Sequence, residues 1–367
     1  MTVALFSPIT LRELTLANRI VVSPMCQYNS DDGCANDWHL MHYGNFSMGA
    51  AGLVMTEMTN VSAIGRISYK CAGLYTDAQE AASKRVVDFC KKYGVAALGI
   101  QIGHSGRKGS TVPPAQGGRP LTPEERAWQT VAPSAIPFGE GWHVPHALTH
   151  GEMEQIKNDF VASVQRAARI GYDLIEFHAG HGYLIHQFLS PLSNQRSDEY
   201  GGSLENRMRY PLEVFAAMRA AWPVDKPMGA RVSATDWVDG GITPEDTVVF
   251  AREMKGIGCD YLDVSSGQLD ARQKIPFAPH FNVPFGEKVR REAGIPTMSV
   301  GLITEPKAAD ELIASGQADF VCIGRGAMWD PRFAWHAAVE LGAETKYPPK
   351  YMACTPALRP QVFARKA

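Results

Sequence analysis

Eight short apolar runs, each followed by a longer stretch of helical periodicity, constrain this chain more than any other feature. The runs are Ile20–Met25, Leu53–Met58, Ala97–Ile102, Tyr172–Phe177, Pro227–Val232, Tyr261–Val264, Thr297–Val300 and Phe320–Ile323. Near-continuous apolar character suits parallel strands covered on both faces, because a strand with one wet face would alternate. The stretches between them carry helix starts. Thr149, with Glu152 three residues on, is a capping box, and Met153, Ile156, Phe160, Val164 and Ala167 follow at three-to-four spacing. Thr243-Pro244-Glu245-Asp246 puts proline at the first helical position, and Thr304-Glu305-Pro306 resembles it. Eight strand–helix units predict an α/β fold, a (β/α)8 TIM barrel. A doubly wound open sheet competes, but no GxGxxG follows the first run.

The 367 residues are expected to form one barrel domain with a long loop insertion after the third strand, at about 104–150. A loop of that length usually acts as a lid or binding loop. Trp128, Phe138 and Trp142 within it call for apolar contacts, which argues against disorder. The tail at about 347–367 is proline-rich and expected to be extended. With a net charge of −2 and no dense Lys/Arg run, neither nucleic acid nor an anionic membrane is an expected partner. The seven cysteines are scattered without CxxC spacing, against a disulfide framework, a zinc ribbon or an iron–sulfur cluster. Reduced thiols and a cytoplasmic location are expected. MTVALFSPITLRELTLANR has no basic region ahead of a long apolar core, so no signal peptide is expected either.

In such a barrel the chemistry gathers at the C-terminal ends of the strands. Those ends hold Ser23-Pro24-Met25-Cys26 with Tyr28, then Glu57-Met58, Gln101, and His178, His181 and Tyr183. Next come Arg231 and Ser233, Ser265-Ser266-Gly267, Gly301, and Gly324-Arg325-Gly326. Polar groups at every end are hard to obtain from packing alone. Glycine-led loops after strands seven and eight, with Arg325, form a phosphate cradle, since glycine lets backbone N–H groups approach an anion. A glycine that merely ends a strand is the plainer alternative. His178 and His181 can donate hydrogen bonds to a carbonyl oxygen, and Tyr183 can deliver a proton. Metal ligation is the rival for paired histidines, but no third ligand has evident spacing and no metal site is expected. Satisfied core histidines are the other alternative. Cys26 is a nucleophile, a modulator of a bound cofactor or an inert buried thiol; no base is evident beside it. Cys322, inside an apolar run, is expected to be inert core.

Ser23-Pro24-Met25-Cys26, His178–Tyr183 and the run Ser190–Arg207, SPLSNQRSDEYGGSLENR, closely resemble the old yellow enzyme family. The likeness extends from Leu5 to Arg325, and the Cys26/Tyr28 pattern is similar to the thermophilic-like branch that includes xenobiotic reductase A and the Bacillus enoate reductase. The resemblance implies non-covalent FMN and an NADPH dehydrogenase or ene-reductase working by ping-pong hydride transfer from NADPH or NADH. Its substrates would be electron-poor alkenes, quinones or nitro compounds. It implies that Ser23, Pro24, Met25, Cys26, Met58, Gln101, Arg231, Ser266, Gly301, Gly324 and Arg325 hold the cofactor, with Lys108 and Gly267 as further neighbours. Tyr28, His178, His181 and Tyr183 would bind substrate; Tyr183 would donate the proton, with His178, His181 and Cys26 also catalytic. A homodimer or homotetramer is implied as well.

Two departures stand out. Met58 replaces a small alanine of the branch, which would crowd the flavin, and Met352, Ala353 and Cys354 stand where relatives carry tryptophan or an inter-subunit arginine. Arg359 and Arg365 are the candidate replacements for that arginine. Ser203 is expected to cap a helix, with Glu205 in its first turn. Asn194, Arg196, Asp198 and Asn206 are expected to form a buried polar network of structural purpose. Three rival functions remain: a larger flavin reductase with an iron–sulfur domain, a non-redox barrel lyase or isomerase using a Schiff-base lysine, and a flavin-storage protein. The cysteine spacing, the lack of a strand-end lysine and the His178/His181/Tyr183 set argue against them in turn.

Overall fold

The computed structural model describes residues 3–356 and 358–360. The eight apolar runs become the strands of one closed parallel barrel: β1 (Ile20–Val22), β2 (Leu53–Asn60), β3 (Ala97–Gly103), β4 (Leu174–Ala179), β5 (Met228–Ser233), β6 (Leu262–Ser265), β7 (Thr297–Val300) and β8 (Phe320–Ile323). Neighbours in sequence are neighbours in the barrel, and β8 closes on β1 through Val321–Ile20, Cys322–Val21 and Ile323–Val22. The architecture is the (β/α)8 barrel, with helices outside the strands.

A hairpin of Ile9–Leu11 and Leu14–Leu16 seals the N-terminal end. Its Leu11 and Leu16 are buried with Val21, Leu53, Leu174 and Phe320, residues from the early parts of four strands. Fully burying one such leucine contributes about 1.5–3 kcal/mol. With that end plugged by hydrocarbon, the opposite rim is left for polar groups.

Helix starts follow the sequence signals. Thr149 caps His150–Ile170 by accepting the Glu152 N–H, and Gly171, at φ 98°, ends it. Thr243 and Asp246 form the box before Pro244–Gly256, and Ser203 accepts the Asn206 N–H ahead of Leu204–Ala221. Glu305, not Thr304, occupies the N-cap position of Pro306–Ala314, and no side chain caps that helix start. The 104–150 insertion consists of short 3-10 turns and the paired segments Val131–Ala132 and His146–Ala147. Buried Arg107 binds it down by donating to the carbonyls of Ile136, Pro137 and Leu269. Trp128 donates to Ile64 O, and Phe138 meets Trp142 edge-on at 4.7 Å.

The tail differs from expectation. Pro349–Cys354 is a 3-10 helix, held where the Tyr347 and Tyr351 rings stand 5.0 and 5.7 Å from Trp335. Arg359 is exposed and donates to Leu358 O, while Arg365 lies outside the described residues. The loop network also differs in degree: Asn194 is buried and binds Phe188 O and Tyr200 O, but Arg196, Asp198 and Asn206 are only half-buried. Among the described residues, no helix is long and apolar enough to cross a membrane.

Candidate active site

Strand register brings the rim groups together. His178 lies within β4, opposite Arg231 on β5, and Arg231 in turn lies opposite Asp263 on β6. Gln101 on β3 is opposite Glu176 on β4, and its Nε2 donates to Glu176 Oε1 at 2.8 Å. Arg231 Nε stands 3.4 Å from Asp263 Oδ2. Two fully buried carboxyls thus share one guanidinium. Burial and then Asp263 push Glu176 up to about 8, against the pull of Arg231 and Gln101. Burial also raises Asp263. Burial opposes the charge of Arg231, yet Asp263 and Glu176 keep it above its ordinary value.

At the end of β4, the His178 ring stands 5.1 Å from His181 and 5.0 Å from Tyr183, edge-on to both. Burial, then Arg231, pushes both imidazoles well below their ordinary value, so each is neutral. His178 Nδ1 accepts the Gly180 N–H at 3.3 Å, which places its own proton on Nε2. His181 Nε2 lies 3.0 Å from Ser265 Oγ. Burial, followed by Cys26 and Cys71, holds the Tyr183 phenol well above its usual range and therefore protonated. Lys108 Nζ donates to His181 O and Gln268 O at 2.9 and 2.8 Å, and lies 5.3 Å from the Tyr183 ring centre. Burial and then Arg107 pull this amine down to about 7.

Cys26, Tyr28 and Tyr183 pack on Met58, Ile67 and Cys71. Met58 is buried against the wall, where a Cβ at Gly103 would come within 2.9 Å of its Sδ and 3.1 Å of His178 Cβ. Burial, then Cys71 and Glu57, drives the Cys26 thiol well up, which removes the thiolate a nucleophile needs. Tyr28, in the left-handed region at φ 51°, is raised by burial and then Cys26. Behind them Glu57 accepts the Gln27 N–H at 3.0 Å and the Tyr43 hydroxyl at 3.2 Å, with His39 Nε2 at 3.3 Å.

Gly301 takes φ 132°, and Gly324 starts the short helix Arg325–Trp329 beside Ser23 and Met25. Arg325 is exposed there. The Ser266 hydroxyl is engaged elsewhere, with Asn282 Oδ1 at 2.7 Å and Trp237 Nε1 at 2.8 Å, so only its backbone is left for a ligand. Sequence reasoning passed over Glu176 and Asp263, and named Glu57 only as a strand-end residue without a role. A carboxylate inside an apolar run was the available signal, because such groups are almost never fully buried without partners.

The sequence profile of the NADH:flavin oxidoreductase / NADH oxidase family matches residues 4–344. The chain belongs to this family. It is 44% identical over 353 residues to an NADPH dehydrogenase of Geobacillus thermodenitrificans, covering 96% of this chain and 98% of that one. An NADPH dehydrogenase of Listeria innocua is 43% identical over 349 residues, with 95% and 98% covered. Among solved structures, morphinone reductase superposes with TM-score 0.77 at 28% identity, over 94% of this chain and 92% of that one. A 2-naphthoyl-CoA reductase, at 22% identity and TM-score 0.83, covers 94% of this chain and 53% of its own, and shows the shared barrel alone. This family member is an FMN-dependent oxidoreductase of the old yellow enzyme type, working with a reduced nicotinamide nucleotide.

Proposed function

We propose that the enzyme is an ene-reductase: it uses NADPH to reduce the C=C bond of α,β-unsaturated carbonyl or nitro compounds, with quinones as further acceptors. The observation that carries this reading is the set of two neutral imidazoles and one protonated phenol, His178 at the end of β4 with His181 and Tyr183 in the turn after it, the latter two rings within 5.1 Å of His178.

The residues present fit FMN. Ser23 Oγ, Arg231 Nε and Glu176 Oε2 are buried without a hydrogen-bond partner among the described residues, a polar surplus at the barrel rim. Gln101 spends its Nε2 on Glu176, so its carbonyl oxygen is the atom it offers to the N–H of a pyrimidine ring. Arg231 supplies positive charge beside that ring, and Ser23, Pro24, Met25 and Cys26, with Met58, would line its edge. Gly301, Gly324 and Arg325, with the Ser266 and Gly267 backbone, would hold the phosphate side. FMN, when bound, supplies hydride acceptance from the nicotinamide and hydride donation to the alkene.

The chain's own residues do the rest. His178, through its Nε2–H, and His181 bind the substrate's carbonyl or nitro oxygen, draw electron density from the alkene and stabilise the enolate. Tyr183 gives its phenolic proton to the α-carbon. Tyr28 forms the facing wall, and the neutral Cys26 thiol tunes the cofactor rather than attacking substrate. The 104–150 segment acts as a rim cover on a single domain. Cysteines without disulfide-type spacing support a cytoplasmic setting, and the branch resemblance supports a homodimer or homotetramer.

The test is spectroscopic. Anaerobic NADPH should bleach the yellow enzyme, and an enone should restore the colour. A bleached enzyme that no electron-poor alkene reoxidises rejects the proposal.

A further inference from the structure

Behind the rim loop lies a buried histidine–aspartate pair that none of the chemistry above uses. His186 Nε2 and Asp236 Oδ1 stand 2.9 Å apart, close but not aligned as a hydrogen bond, and both side chains are fully buried. The other ends of this pair point at two different parts of the fold. His186 Nδ1 accepts the Gly182 N–H at 2.9 Å. Asp236 Oδ2 accepts Ser190 Oγ at 2.7 Å and the Ile242 N–H at 2.9 Å. Burial opposes the charge on Asp236, but His186, Ile242 and Ser190 hold its carboxyl below the usual range, so it stays ionised.

Gly182 is the residue between His181 and Tyr183, and its neighbourhood is under conformational stress. His181 and Gly182 take φ of 54° and 72°, two consecutive residues in the left-handed region, and one of them carries a side chain. A conformation of this kind persists only where its surroundings over-determine it. Four side chains do so. Besides His186 on Gly182 N, Gln187 Nε2 donates to Gly182 O at 2.7 Å. Ser233 Oγ accepts the His181 N–H at 2.9 Å, and Lys108 Nζ donates to His181 O at 2.9 Å. The His181–Gly182 peptide is therefore gripped at both its carbonyl and its N–H, and the peptides on either side of it are each held by one further side chain.

We infer that His186 and Asp236 are positioning residues, a buried clamp that, with Lys108 opposite, holds the Gly182 peptide so that the His181 imidazole and the Tyr183 phenol face one substrate. Neither side chain of the pair touches substrate or cofactor. Asp236 fixes the imidazole, the imidazole fixes the peptide, and the peptide sets the two reacting side chains. The inference rests on the ene-reductase reading, since it assigns the clamp to that reading's groups.

Replacement chemistry separates positioning from bulk packing. The side-chain oxygen in His186→Asn can accept the Gly182 N–H where Nδ1 did; His186→Leu fills the space and accepts nothing. Binding of 4-hydroxybenzaldehyde to the oxidised holoenzyme, followed by calorimetry, is expected to weaken about tenfold or more in His186→Leu and to recover most of that loss in His186→Asn. Oxidation of pre-reduced enzyme by an enone should slow in the same order. Lys108→Met releases His181 O from the other side and should weaken the same ligand even if His186→Leu fails to fold. Wild-type-like affinity in both His186→Leu and Lys108→Met overturns the clamp. Equal loss in His186→Leu and His186→Asn also overturns it, since packing alone would then explain the effect. Wild-type enzyme that neither binds the phenol nor reduces the enone rejects the underlying reading instead, before any variant is compared.

Discussion

Tyr183 and Glu176 carry the most direct consequences of burial. Tyr183→Phe removes the only proton on that side chain suited to the α-carbon while keeping the ring on Cys26, Tyr28 and Met58. Oxidation of reduced enzyme by an enone is expected to slow about a hundredfold or more, in the range for a lost general acid. Flavin reduction by NADPH should change far less, and stopped-flow traces of the two half-reactions check the split. Glu176 makes a different prediction. Its carboxyl binds a proton more tightly folded than unfolded, with a folded pKa of about 8 against the ordinary 4.5. Its contribution is therefore fully present below the ordinary value and lost as pH rises through 8. Between about pH 5 and pH 8 the wild type should lose melting temperature relative to Glu176→Gln; parallel melting curves would show that Glu176 is not protonated in the fold. These carboxyls were hard to see in the sequence. Glu176 sits in Leu174-Ile175-Glu176-Phe177 and Asp263 in Tyr261-Leu262-Asp263-Val264, where apolar neighbours hide an inward-facing charge until register pairs it with Gln101 or Arg231.

At the level of elements, the strands were legible because both faces of each are covered, which removes the alternation a half-wet strand would show. Boundaries drifted where pairing continued into polar residues. β4 runs on through His178 to Ala179, so that imidazole is set by strand register rather than by a loop. The caps at Thr149 and Thr243 were equally legible, being local chemistry three residues long. The His186–Asp236 pair was not, because 50 positions separate its members and only the β4 and β5 ends bring them together. Close approach at the rim yields a prediction for the loop itself. A Cβ on Gly182 would fall 2.2 Å from Gln268 O, on a backbone at φ 72°. Gly182→Ala thus meets a left-handed penalty of about 1–2 kcal/mol plus a backbone collision. It should lower the melting temperature and weaken phenolic-ligand binding together; loss of one without the other would mean that the loop moves independently of its support. Thr149→Ala, at the start of the helix after the insertion, should cost about 1 kcal/mol of stability through the lost cap, read by denaturant titration.

For the whole molecule, the barrel was predictable from the count and order of its runs, whereas the tail was not. Proline content suggested an extended path, and the Trp335 surface that gathers Tyr347 and the 3-10 turn carrying Tyr351 is visible only after folding. A cofactor gripped by many strand ends should add to global stability by mass action. Stripped of FMN the protein should melt lower, and FMN restored at a hundred times its dissociation constant should return about 2.7 kcal/mol; an unchanged melting curve would contradict a site assembled across the rim. The hydrocarbon plug at the other end has its own consequence. Leu11 and Leu16 sit with the early residues of the strands, a barrel's length from His178 and Tyr183. Heat tolerance and chemical taste are thereby lodged in opposite poles of one molecule, and breeding a hardier catalyst from the floor upward need not disturb what it chooses to reduce.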